Sequence, residues 1–187
     1  ECQNVMIVFG KSIIYGVDQT RFFQKAMLDK NRITVLSLPK KNAGATSMIY
    51  FDSNKKVVSF EDDEQLKTQY DYYQIPVLFC PKEVAENKEI SFDNISEIIS
   101  SIVQDQVIYT VVLDRGFVEI PIESWNDVLD ASMFVKTVQH ACGMQIYCLE
   151  EIAWRRGMIS DEAFAFFGEQ NPETEHTRYI KNLRHQR

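Results

Sequence analysis

The hydrophobic pattern of this chain begins in strand-like runs and ends in helical spacing. Residues 4–9 form an almost unbroken apolar run stopped by Gly10, as expected of a strand covered on both faces. Gly10-Lys11-Ser12 then reads as a turn, and after Ile13, Ile14 and Tyr15 the chain breaks at Gly16. Asp18 stands where an N-cap is wanted for a helix over residues 19–29, in which Phe22, Phe23, Ala26 and Met27 share one face. Residues 33–38 predict a second strand closed by Pro39. Residues 46–52 and 56–60 predict a hairpin that turns through Asp52-Ser53-Asn54. A further strand is predicted over 72–79. Its internal Pro76 cannot donate to a ladder, which assigns the strand to an edge or a bulge. Residues 92–104 set Ile95, Ile98, Ile99 and Ile102 on one helical face, and 106–113 return to an apolar strand ending at Asp114-Arg115-Gly116.

From Ser124 the helical spacing takes over. Ser124 and Asp127 form a loose capping arrangement before a helix over 128–141, which Cys142-Gly143 ends. Residues 143–157 read as a short strand, a break and a helix carrying Glu151, Trp154 and Arg155 on neighbouring turns, closed by Gly157. Ser160-Asp161-Glu162 caps a helix through Phe166, and a last helix starts near Thr174. Strands alternating with helices, then helices alone, predict an α/β core over 1–123 with a helical subdomain over 124–187 packed on it as one structural unit.

Composition narrows the function classes. A formal charge of −7 excludes a nucleic-acid backbone as main partner, because phosphate binding needs clustered Lys and Arg. The basic residues from 178 to 187 read as a solvated tail, and the acidic run 61–64 as a solvated loop or helix start rather than a metal cluster. No cysteine pair or neighbouring His has metal-ligand spacing, so a zinc site is not expected, and apolar flanks such as those of Cys80 indicate buried thiols in a reducing compartment. Without an apolar run that could span a bilayer or a signal-peptide pattern, the expectation is a cytoplasmic protein with no membrane partner. His140, His176 and His185 are scattered. Ser12 after Gly10-Lys11 lacks the glycine spacing of a phosphate loop, and no other motif assembles a nucleophile, a base and an electrostatic trap.

The C-terminal third carries a longer text. Arg115-Gly116-Phe117, then Asp130-Ala131-Ser132-Met133-Phe134-Val135, then Gly143-Met144-Gln145-Ile146-Tyr147-Cys148-Leu149-Glu150-Glu151-Ile152-Ala153-Trp154-Arg155-Arg156-Gly157-Met158-Ile159 resemble, in order and spacing, the end of the glucose-1-phosphate thymidylyltransferases. Near the start, Val8-Phe9-Gly10-Lys11-Ser12-Ile13-Ile14-Tyr15-Gly16 stands where that family writes leu-gly-asp-asn-ile-phe-tyr-gly. The likeness is strong at both ends and weak in the middle. It implies a partial nucleotidyltransferase, with a Rossmann-like mixed sheet and a C-terminal helical subdomain.

The family joins a sugar 1-phosphate to dTTP, with Mg²⁺ held by two aspartates. Against that pattern the chain departs at several points. Nothing corresponds to the gly-x-gly-thr-arg loop of the family's N-terminal third, so an N-terminally truncated member is expected. The first metal-binding aspartate is replaced by Lys11 and the second aligns with Pro121. The sugar-phosphate segment glu-glu-lys-pro has become Phe60-Glu61-Asp62-Asp63, and sugar-facing glycines align with Ser47 and Pro76. An ammonium in place of a carboxylate reverses the charge at a metal site, and Asp in place of a phosphate-binding Lys sets anion against anion. The expectation is a catalytically degenerate member with no catalytic residues, no metal and no cofactor.

What the resemblance implies is retained is the family's second, regulatory nucleotide site, which lies at a subunit interface. Its positions are Tyr15, Gly16, Arg115, Glu151, Ile152 and Arg155 here, while Val17 replaces a frequent His. An aromatic ring suits a base, and guanidinium groups suit bidentate phosphate contact. A structural reading stands beside this one: Tyr15, Glu151 and Arg155 could persist to pack the C-terminal helices onto the sheet, the last two as an i,i+4 pair. The expected partners are a thymidine nucleotide or dTDP-sugar, and a homo-oligomer or a hetero-oligomer with an active homologue. The alternative is a thymidylyltransferase completed by a partner chain.

Overall fold

The computed structural model describes residues 4–40, 48–60, 71–87, 98, 99, 102, 106–169 and 174–184. Their elements, in chain order, are β1 (Asn4–Val8), β2 (Ser12–Tyr15), α1 (Gln19–Met27), β3 (Ile33–Lys40), β4 (Tyr50–Phe51), β5 (Val57–Ser59), β6 (Asp71–Pro81), α2 (Lys82–Ala85), β7 (Ile108–Val112), β8 (Val118–Pro121), α3 (Trp125–Cys142), α4 (Leu149–Arg155), α5 (Asp161–Glu169) and α6 (Glu175–Arg184). They fall into two compact units, Glu1–Asp127 and Val128–Arg187. The fold class is mixed α/β, as expected, and the main sheet is mixed.

That sheet runs β1-β6-β3-β7, with only the β3–β7 pairing parallel. Its central strands are buried on both sides, and the alternation of side chains explains why. Leu36, Leu38, Ile75, Val77 and Phe79 meet Phe22 and Ala26 of α1 on one face. Ile33, Val35, Leu78 and Cys80 meet Val84 of α2 and the helical Ile98, Ile99 and Ile102 on the other. A buried hydroxyl pair, Ser37 Oγ and Thr110 Oγ1 at 2.8 Å, ties β3 to β7 inside this apolar layer.

Several expectations are corrected here. Residues 4–9 do not form a strand covered on both faces: β1 pairs only with β6 among the described residues, and Met6 and Val8 are exposed. Double coverage is a property of neighbours, which an apolar run does not encode. The strand with Pro76 is not an edge but lies between β1 and β3, and only the bulge half of that reading holds. The β3 register shifts between Val35 and Ser37 opposite the stretch containing Pro76. The Pro76 carbonyl accepts the Phe9 N–H at 3.0 Å, so the residue still serves the sheet as an acceptor. Pro39 does not close β3, because it sits inside the strand opposite Tyr72. Asp18 precedes α1 but adopts a left-handed backbone (φ 59°, ψ 43°) and makes no side-chain cap.

The hairpin forms as expected: β4 pairs with β5, and Asp52 Oδ1 accepts the N–H groups of Asn54 at 2.8 Å and Lys56 at 3.0 Å. Strand β8 has no counterpart in the sequence reading. Its antiparallel pairing with β2 supplies what four residues of mixed polarity do not announce. The acidic run 61–64, Ser47 and most of the predicted helix over 92–104 lie outside the described residues.

At the start of α3 the capping arrangement is complete and reciprocal. Ser124 Oγ accepts the Asp127 N–H at 3.3 Å, while Asp127 Oδ2 accepts the N–H groups of Ser124 at 2.7 Å and Glu123 at 3.0 Å. The Glu123 N–H, then the Ser124 hydroxyl and N–H, hold the Asp127 carboxyl below its ordinary 3.8. A carboxyl depressed by folding stabilises above its unfolded pKa, and that contribution fades as pH falls through the folded value. Asp127→Ala is therefore expected to lower the melting temperature at neutral pH, with the gap from wild type narrowing as pH drops below the ordinary 3.8. Thermal melts of both proteins across that range measure it; a gap independent of pH would remove the carboxylate from the explanation.

In the second unit, residues 143–148 form turns rather than the expected strand, with Gly143 at φ 63° and Tyr147 at φ 53°. A β-like composition gains nothing there, since no partner strand is present among the described residues of this unit. Helix α4 follows and ends as expected at Gly157 (φ 68°), where the Met158 N–H returns to the Ala153 carbonyl at 2.8 Å. Ser160 Oγ accepts the Ala163 N–H at 3.2 Å, and α5 runs three residues past its predicted end, to Glu169. Trp154, Phe164, Ile180 and Leu183 form this unit's core. Among the described residues no helix is long and apolar enough to cross a membrane.

Candidate functional site

The β2–β8 ladder brings together the two positions that the resemblance aligns with metal-binding aspartates. Ser12 pairs with Pro121, and the Lys11 carbonyl accepts the Ile122 N–H at 2.7 Å. Magnesium needs oxygen ligands at about 2.0–2.1 Å in near-octahedral array. An ammonium and a pyrrolidine ring offer none, so this donor set does not fit the ion. The acid carried by β8, Glu119, faces other work: the Tyr73 hydroxyl is pushed up to about 12, by burial first and by the Glu119 charge second.

Gly16 lies against one side chain that sequence reasoning did not single out, Phe117, and the backbone of Tyr15 and Arg115 adjoins it. Tyr15 pairs with Val118, and Arg115 bridges to Phe117 across Gly116 (φ 102°). A Cβ on Gly16 would sit 2.3 Å from Cδ1 and 2.5 Å from Cγ of Phe117. The ring itself is held edge-on by Phe22, centroids 5.0 Å apart. Gly16 is thus required by the closeness of an aromatic face. Arg115 is exposed at the surface of this unit.

The other three predicted residues share α4. Glu151 Oε1 accepts Arg155 Nε at 2.6 Å, and Oε2 accepts the Tyr179 hydroxyl at 2.5 Å. Both oxygens of this carboxylate are therefore engaged within the unit, tying α4 to α6. Its side chain is 12% exposed, against 61% for Arg155. Burial and the bond to Glu151 push the Tyr179 hydroxyl up to about 12, so it remains a donor at neutral pH. Glu151 is accordingly a positioning residue, whereas Arg155 and Ile152 face outward. Tyr179 is invisible to sequence reading because its partner is on another helix. Tyr15, Gly16 and Arg115 belong to the first unit, and Glu151, Ile152 and Arg155 to the second.

Cys148, just before α4, has neighbours that spacing did not reveal. Its Sγ lies 3.5 Å from Glu150 Oε2, and His176 Nε2 lies 3.4 Å from Glu150 Oε1. Burial raises the Cys148 thiol above its ordinary value, the Glu151 backbone N–H opposes this, and the Glu150 and Glu151 charges add to the rise.

No protein-family model matches the chain. It is 27% identical over 186 residues to the glucose-1-phosphate thymidylyltransferase of Neisseria meningitidis, which covers 96% of this chain and 64% of that protein. It is 27% identical over 150 residues to the enzyme of the same name from Mycolicibacterium smegmatis, covering 76% of this chain and 51% of that one. The chain thus spans less than two thirds of the length of these curated relatives. Among solved structures, HddC from Yersinia pseudotuberculosis has the same fold over 72% of this chain and 56% of its own, with a TM-score of 0.51 at 13% identity. Over nearly its whole length, the chain is similar in sequence to glucose-1-phosphate thymidylyltransferases, at 25% to 27% identity.

Proposed function

We propose that this is a non-catalytic nucleotidyltransferase-like protein that binds a thymidine nucleotide or a dTDP-sugar. Its candidate contacts in the first unit are Tyr15, Gly16 and Arg115; taken separately, those of the second unit are Ile152 and Arg155, the latter steadied by Glu151. In the same reading it associates with copies of itself or with an active homologue. The observation that carries this proposal is the junction of β2 with β8. There Lys11 and Pro121 stand side by side, where the related enzymes hold a metal between carboxylates. A positive charge and a ring without a donor at that place favour binding over phosphoryl transfer. Arg155 supports the ligand half: its Nε is held by Glu151 and its side chain is 61% exposed, an orientation suited to phosphate.

Calorimetric titration of the full chain with dTTP and with a dTDP-sugar is the test. Saturable heat is expected with at least one of them. Arg115→Ala and Arg155→Ala should each weaken it by roughly 10-fold or more, the loss of one or two charged hydrogen bonds, while Lys11→Ala leaves it unchanged. Absence of heat with both ligands removes the binding role. Turnover of dTTP and glucose 1-phosphate that Lys11→Ala abolishes, with or without an active homologue present, would make the chain an enzyme instead.

A further inference from the structure

We propose that Cys148, Glu150 and His176 bind a divalent transition-metal ion of the zinc class. One sulfur, one carboxylate oxygen and one imidazole nitrogen from these residues all lie within 4.8 Å of one another. Cys148 Sγ lies 3.5 Å from Glu150 Oε2, and His176 Nε2 lies 3.4 Å from the other oxygen of that carboxylate, Oε1. Zinc bond lengths of about 2.0–2.3 Å in tetrahedral array place neighbouring donors roughly 3.3–3.6 Å apart. Both contacts fall in that range, and the set of one donor per residue would close on an ion from within 4.8 Å.

The histidine is oriented for this role. His176 Nδ1 lies 2.6 Å from Gln145 Oε1, and since an amide oxygen can only accept, Nδ1 carries the proton. In the tautomer with that proton alone, Nε2 is an acceptor 3.4 Å from a carboxylate oxygen, Glu150 Oε1. Two acceptors facing each other need a cation between them, either a second ring proton or a metal ion. A carbonyl-type oxygen that fixes the tautomer behind a ligating ring is the usual outer support of a metal-bound His. The third donor selects the ion. A buried sulfur beside an imidazole and a carboxylate suits zinc-class metals, and it excludes magnesium or calcium, which take oxygen alone. Three protein ligands leave one tetrahedral position for water.

This site is separate from the Lys11–Pro121 junction and from the proposed nucleotide contacts, although Glu150 adjoins Glu151. Cys148 and Glu150 flank the first residue of α4, and His176 stands near the start of α6. An ion there would fasten the same two helices that Glu151 and Tyr179 join.

Full-length, tag-free protein stripped with a chelator and titrated with Co²⁺, then with Zn²⁺, tests the proposal. One equivalent of Co²⁺ is expected to give thiolate-to-cobalt charge-transfer absorption that Zn²⁺ abolishes. Cys148→Ser should eliminate that absorption. His176→Gln, at a half-exposed position, should weaken Zn²⁺ roughly 10-fold or more, while exposed Cys142→Ser changes nothing. Far-ultraviolet circular dichroism confirms that each variant is folded. Wild type without the charge-transfer band, or His176→Gln with undiminished Zn²⁺ affinity, overturns the proposal and leaves the cluster as a His–Glu contact beside a thiol. Either result leaves the nucleotide titration unaffected, so the two proposals fail separately.

Discussion

Phe164→Ala is expected to lower the stability of the second unit by about 3–5 kcal/mol, the usual cost of emptying a buried phenylalanine site. The ring is 1% exposed and lies parallel to the Trp154 indole, with centroids 4.3 Å apart and planes 4° apart. Ile180 and Leu183 of α6 share that core, so the cavity would open where α4, α5 and α6 converge. Little can collapse into it, because Trp154 is pinned from its far edge by a 2.6 Å bond from Nε1 to Asp161. Urea denaturation followed by tryptophan fluorescence reads the effect. Trp154 is buried and Trp125 is exposed, so the emission change on unfolding comes mainly from the second unit. A loss below about 1 kcal/mol would show that the stack contributes little beyond surface cover. The same variant should lose whatever ligand or ion depends on α4 facing α6, since Glu151–Tyr179 and Cys148–His176 both require that alignment.

The second large effect is expected from Gly16→Ala, a change of one methyl group. At 2.3–2.6 Å from three carbons of the Phe117 ring, the new Cβ cannot be accommodated without moving that ring. Moving it disturbs the edge-on contact with Phe22 and the core beneath α1. Overpacking of this kind costs about 1–3 kcal/mol. Because Tyr15 pairs with Val118 and Arg115 bridges to Phe117, nucleotide affinity should fall along with stability if these residues hold the ligand. Phe117→Ala removes the clash, so in the double variant the glycine substitution should become nearly neutral. A double-mutant cycle measures this coupling, and strictly additive losses would mean that Gly16 matters for some reason other than the ring.

Much of the architecture was legible because it rests on local chemistry. The Asp52 turn, the Ser124–Asp127 box and the glycine stops at 143 and 157 each depend on groups within a few residues of one another, and each formed. Errors arose where the deciding partner is distant in sequence. The run at 4–9 is apolar whether its strand is central or at an edge. Pro76 could be placed at a bulge but not inside a central strand, because both flanking strands, β1 ending at Val8 and β3 ending at Lys40, lie far upstream of it in the chain.

The candidate sites divide in the same way. The sequence by itself determined the chemical inventory: Lys11 and Pro121 at metal-like positions, the i,i+4 pair of Glu151 and Arg155, and the family to which these texts are related. Only the tertiary structure decided what that inventory does. It set Lys11 beside Pro121 through a β2–β8 pairing that no periodicity announces. Tyr179 was delivered to Glu151, which made a surface ion pair into an interhelical clamp. His176 came to Cys148 and Glu150, although no metal-ligand spacing links them along the chain. The physical reason is one of range. Helical repeat, caps and turns are settled by neighbours along the backbone, whereas coordination shells and buried polar pairs form between segments that only packing can join.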